Sequence, residues 1–141
     1  MMEALRAQII ARAGNRCEYC RAPGYIGTQR LSIEHIRPRA AGGTDDPFNL
    51  AVACQGCNNH KYTKITVLDP LTGTRVALFH PRQQVWEEHF SWSEDALEVI
   101  GQTPTGRATV AALQLNREEL VRFRRVLIPA GEHPPIPAPT P

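Results

Sequence analysis

The stretch IEHIRPRAAGGTDDPFNLAVACQGCNNHK, residues 33–61, places Glu34, His35, Asp45, Asp46, Cys54, Cys57 and His60 within one short span. Upstream, RLSIEH alternates Leu31 and Ile33 with polar neighbours, as a half-buried strand does, and Glu34 and His35 fall at its end. Adjacent strand residues point to opposite faces, so the strand is expected to end or bend at this pair if both serve one site. Residues 38–47, PRAAGGTDDP, are turn chemistry throughout, with Gly42-Gly43 and Asp46-Pro47 the strongest marks. CNNHKYTK, residues 57–64, can form a short helix.

Working outward, the chain holds four cysteines, Cys17, Cys20, Cys54 and Cys57, in two C-x2-C pairs separated by 33 residues. With no export signal among the first residues, two such pairs fit a tetrahedral zinc site better than disulfides or a redox pair. Four thiolates close the coordination sphere, so this zinc is expected to be structural and to replace part of the core. Residues 2–13, MEALRAQIIARA, place Leu5, Ile9 and Ile10 on one side of a helical repeat that leads into the first knuckle, with Gly14 as its stop.

Composition narrows the class further. At 141 residues with 42% hydrophobic content, the chain fits one compact domain or a small domain with appendages. No apolar run reaches the ~18 residues of a membrane span, so a soluble, cytoplasmic protein with no membrane partner is expected. The net charge of +2 is unevenly placed: residues 1–64 carry nine Lys/Arg against five Asp/Glu, and residues 65–141 seven against nine. The N-terminal half is the better candidate for an anionic partner.

Beyond Lys64 the pattern changes. RVALF and VWEEHFSW, in which Trp86, Phe90 and Trp92 recur at even spacing, suggest strands, with Leu97–Ile100 pairing with them. Thr105–Leu115 and Arg117–Ile128 suggest two helices, and Asn116 stands where a capping box would place it. PAGEHPPIPAPTP, residues 129–141, is expected to be an extended or disordered tail. His80, His89 and His133 have no partner at a ligand spacing and read as surface or core histidines, and the aromatic stripe reads as core. The expected organisation is a module over residues 1–66, an extension over 67–128 and the tail.

Taken together, Glu34-His35, Pro38, Gly42-Gly43, Asn49-Leu50, Cys54-x2-Cys57, Asn58 and Lys61 resemble the HNH, or ββα-metal, endonucleases that carry a four-cysteine zinc scaffold. The resemblance covers residues 17–64. It implies an α+β fold, a zinc-stapled ββα-metal unit with an α+β C-terminal extension, and metal-dependent hydrolysis of DNA phosphodiesters by nicking or double-strand cutting. His35 is then the general base, a task that suits an imidazole with a pKa near ~6.5. Asn49 is expected to brace the loop that orients it. Glu34 and Asn58 would offer hard oxygens to a catalytic Mg²⁺ or Mn²⁺. Many family members carry histidine directly after the fourth cysteine. This chain has Asn58 there, with His60 the alternative ligand; on a helix the two lie ~200° apart, so they cannot both serve one ion.

Arg37, Arg39, Lys61 and Lys64 flank the site and are the candidates for phosphate contacts with DNA, double-stranded by expectation. A homodimer would allow paired nicks on opposite strands. The rival reading is a zinc-dependent module that binds nucleic acid without cutting it. The Glu34-His35 pair argues against that rival, since a binding module has no need of it.

Overall fold

The computed structural model describes residues 3–27 and 30–136. Helix α1 (Glu3–Arg12) buries Ile9 and packs Leu5 and Ile10 against the core. Past its end Gly14 adopts a left-handed φ of +66°. Strand β1 (Leu31–His35) pairs antiparallel with β2 (Leu50–Cys54) in the register Leu31↔Cys54 to His35↔Leu50. The sequence LAVAC supplies no polar side chain to β2, and every one of its residues is buried. Helix α2 (Gln55–Lys61) starts directly after Cys54, two residues before the expected start at Cys57, and so carries Cys57 in its first turn. Strand, strand and helix form the ββα unit, and the mixture of helices with small antiparallel sheets is an α+β fold.

The downstream half adds a hairpin of β3 (Thr66–Leu68) and β4 (Arg75–Ala77), a one-turn helix α3 (Trp86–His89), a second hairpin of β5 (Phe90–Trp92) and β6 (Val99–Gly101), and helices α4 (Pro104–Leu113) and α5 (Glu118–Leu127). VWEEHFSW is therefore not one strand. The even spacing of Trp86 and Phe90 is also an i,i+4 spacing, and a helical turn over 86–89 brings their rings to 5.0 Å between centroids. Asn116 is not the cap of α5, which begins after Arg117 without a side-chain cap. Its amide is used elsewhere, accepting from the Val99 N–H at 2.7 Å and donating to the Val99 carbonyl at 2.9 Å. Thr103 does cap α4, accepting from the Gly106 N–H ahead of Pro104 at the first turn.

One buried cluster runs from Ile9 through the cysteines, Phe79, Trp86 and Phe90 to Leu113 and Leu120. The two halves of the chain thus share a core. The start of the C-terminal tail is fixed rather than disordered: Tyr25 donates to Glu132 at 2.6 Å, Arg16 donates to the Glu132 carbonyl at 2.8 Å, and buried His133 stands edge-on to Trp92. Residues 137–141, the rest of the expected tail, lie outside the described residues. No helix among the described residues is long and apolar enough to cross a membrane.

Asp69 anchors the β3–β4 hairpin to α4. Fully buried, it accepts from Arg107 Nε and Nη2 at 3.0 and 2.8 Å, from Thr72 Oγ1 at 2.8 Å and from the Leu71 N–H at 3.1 Å. The Arg107 guanidinium, helped by the other donors, holds its carboxyl well below the usual carboxylate range. A depressed folded-state pKa stabilises the fold above the unfolded value of about 4, and that contribution is lost as pH falls below it. Asp69→Asn is expected to lower Tm at neutral pH, with the deficit narrowing on acidification below about pH 4; calorimetry across that range checks it.

Candidate metal centre and active site

The two knuckles meet where the first loop crosses the β2–α2 junction. Cys17 and Cys57 are fully buried and Cys20 nearly so, and the four sulfurs lie within 4.8 Å of one another. Cys20 and Cys54 Sγ are 3.7 Å apart. Sulfurs ~2.3 Å from a central zinc at tetrahedral angles sit ~3.8 Å apart, so the cluster has the size zinc requires. The Cys20 N–H points at Cys17 Sγ from 3.5 Å. Four sulfurs this close cannot all ionise without a cation among them. Burial pushes the Cys17 thiol up, whereas Cys54, accepting from the other three, is held low. Binding a cation here would release protons, as thiolate sites do.

The residues inside the first knuckle bind it to its surroundings. Glu18 accepts from the Val52 N–H at 2.8 Å with one carboxylate oxygen and pairs with Arg82 through the other. Burial pulls the Arg82 guanidinium down to about 10, still charged at neutral pH. The Tyr19 hydroxyl donates to Glu34, and its backbone carbonyl accepts from Trp86 Nε1 at 2.9 Å. Burial and the Glu34 charge together push the Tyr19 hydroxyl well up, which keeps it a donor.

Strand β1 continues through His35 instead of bending at Glu34, so the pair diverges. His35 emerges half-buried on the surface side, its Nε2 2.7 Å from Asp45 Oδ1 and 3.3 Å from Arg39 Nε. Nε2 can donate to Asp45 or accept from Arg39, but not both, and the shorter contact favours donation to Asp45. Asp45 also accepts from Arg39 Nη2 at 2.8 Å, and the His35 and Arg39 bonds hold its carboxyl below the ordinary value.

Asn49 ties the loop after His35 together with three bonds. Its Oδ1 accepts from the Arg37 N–H at 2.9 Å, and its Nδ2 donates to the Arg37 and Thr44 carbonyls at 3.1 and 2.8 Å. The two glycines of this loop are needed for different reasons. Gly42 takes a φ of +88°, and a Cβ on Gly43 would sit 1.7 Å from the Arg37 carbonyl oxygen. A cleft of about 690 Å³ opens beside Asn49, with Arg37, Phe48, His80 and Gln83 among its walls.

The other expected site residues divide. Glu34 is buried, one oxygen bonded to Tyr19 and the other 3.0 Å from Lys61 Nζ. Lys61, 2% exposed, also donates to the His35 and Ile36 carbonyls at 3.2 and 3.0 Å, so it is not a surface phosphate contact. Asn58 is half-buried, and its side chain makes no hydrogen bond to another described residue. His60 is half-buried on α2, and Lys64 is exposed with its ammonium on the His60 carbonyl. Arg37 and Arg39 are exposed. His80, His89 and His133 are held in hydrogen bonds to backbone or hydroxyl groups.

Two neighbours escaped the reading of the sequence. Asp45 gives only a weak signal, an acidic residue two positions after the double glycine; Arg117 gives none. No curated protein and no solved structure matches the chain. Residues 17–64, a minority of the chain that runs from the first cysteine through Lys64, match the family model for HNH endonuclease.

Proposed function

We propose that the chain is a metal-dependent endonuclease that hydrolyses phosphodiester bonds of double-stranded DNA, with His35 as the general base. The supporting observation is local: a half-buried imidazole at the end of β1, followed by a loop fixed through Asn49, within the segment that matches the HNH endonuclease model. The cysteines hold a structural Zn²⁺, which the all-sulfur donor set fits.

Hydrolysis needs a water to lose its proton as it attacks phosphorus. His35 takes that proton on Nδ1, the nitrogen left unprotonated while Nε2–H donates to Asp45, whose carboxylate steadies the imidazolium that forms. A DNA phosphate drawn to Arg37 and Arg39 offers Arg39 another partner and leaves Asp45 to the imidazole. Lys64 adds a further exposed positive charge at the end of the motif. Asn49 keeps the backbone after His35 from drifting, so the ring presents one orientation.

A Mg²⁺ or Mn²⁺ ion, when bound, supplies Lewis-acid stabilisation of the leaving oxygen. Asn58 has an amide oxygen to give it. Glu34 does not fit as a ligand, because Tyr19 and Lys61 occupy both its oxygens. In this reading Glu34 is the buried anchor of the base-bearing strand.

Cleavage of supercoiled plasmid with Mg²⁺ or Mn²⁺ tests the activity; DNA binding without any cleavage would favour the non-catalytic module instead. Glu34→Gln separates the two roles of Glu34. As an anchor, its loss leaves Lys61 buried without an anion and costs on the order of 3 kcal/mol, with the Mg²⁺ requirement unchanged. A rise in the Mg²⁺ concentration for half-maximal cleavage at an unchanged Tm would restore Glu34 as a metal ligand.

A further inference from the structure

We propose that Arg117, sixty residues away in sequence from the second knuckle, is a built-in partner of the metal centre that slows loss of its zinc and ties that zinc to the C-terminal helices. Its guanidinium donates from Nη2 to Cys54 Sγ at 3.5 Å and to Cys57 Sγ at 3.7 Å, and from Nη1 to Cys57 Sγ at 3.6 Å. Nη1 also donates to the Leu113 and Gln114 carbonyls, both at 3.2 Å, closing the end of α4. Glu119 Oε1 lies 3.2 Å from Nε, and the Arg117 side chain is 6% exposed.

The second knuckle is shaped to receive it. A Cβ on Gly56, between the two cysteines, would fall 2.4 Å from Arg117 Nη2, so C-Q-G-C leaves the space the guanidinium fills. The charge argument points the same way. Four thiolates around Zn²⁺ carry a net charge of −2, buried here with few other donors. A planar fork reaches two sulfurs and two carbonyls at once, which a lysine ammonium on a single point cannot do. N–H···S bonds withdraw electron density from the thiolates, lowering their appetite for protons and electrophiles and so slowing the first step of zinc loss.

The proposal rests on the cysteines holding zinc, and the experiment separates the two. Zinc content of the purified full chain is measured first; a chain without zinc sinks the metal reading, whatever Arg117 does. With zinc present, its release is followed by a chromophoric chelator after addition of N-ethylmaleimide. Arg117→Met is expected to speed release by roughly 10–100-fold, and Arg117→Lys to recover part of the loss. Arg122→Met, at an exposed position on α5, is the control and should release at the wild-type rate. Should Arg117→Met fail to fold, Gly56→Ala displaces the guanidinium without deleting it and should speed release similarly. Wild-type release rates in the folded Arg117 variants, or in Gly56→Ala, would overturn the proposal.

Discussion

Replacing His35 by alanine is expected to lower the rate of metal-dependent DNA cleavage by about 10²–10⁴-fold, the range that a positioned general base contributes. Stability should barely change. Among the described residues the imidazole's hydrogen bonds go to exposed Asp45 and Arg39, and surface ion pairs of this kind contribute little. DNA affinity should also hold, because Arg37, Arg39 and Lys64 are untouched, and loss of the imidazole frees Asp45 to pair with Arg39 alone. The measurement is a plasmid-nicking time course for both proteins, with Tm and a salt-dependent binding curve alongside. Cleavage at the wild-type rate by a folded His35→Ala protein would remove His35 from the mechanism.

The parts of the fold written in short-range pattern were legible in the sequence. Two C-x2-C pairs bracketing an alternating strand forecast the knuckles, because metal spacing and strand period are both local. The surroundings of Glu34 were not legible for the same reason. Its neighbour His35 suggested a shared site, but strand alternation sends adjacent side chains apart, and what decides the fate of Glu34 is Tyr19 and Lys61, fifteen residues upstream and twenty-seven downstream. A lysine three positions after Asn58 looks like a phosphate contact until the helix face it occupies is known. The aromatic stripe shows the limit of periodicity itself, since even spacing over 86, 90 and 92 fits a strand and a helical turn equally. Arg117 lay beyond any such reading: its partners are far away in sequence, and nothing local marks it.

Stripping the zinc, or removing one ligand by Cys57→Ser, is expected to abolish the cooperative fold of the whole chain rather than of the N-terminal half alone. Structural zinc in small modules contributes on the order of 10–16 kcal/mol of apparent binding free energy, against a total stability of about 5–15 kcal/mol for an ordinary domain. The loss could stay local if the extension had its own core. Here it does not, because the shared cluster passes through Cys17, Cys54 and Cys57 to Leu113 and Leu120. Three polar ties cross the same boundary, from Trp86 to the Tyr19 carbonyl, from Arg82 to Glu18, and from Arg117 to Cys54 and Cys57. Each has one end in or beside a knuckle, so losing the ion loosens all three together. Far-ultraviolet circular dichroism should therefore lose the α4 and α5 signal along with that of α2 in a single transition as a strong chelator is titrated, and mild EDTA sufficient to remove Mg²⁺ should leave the spectrum unchanged. A zinc-free chain that keeps the wild-type spectrum and melting curve would mean that packing holds this fold without the metal.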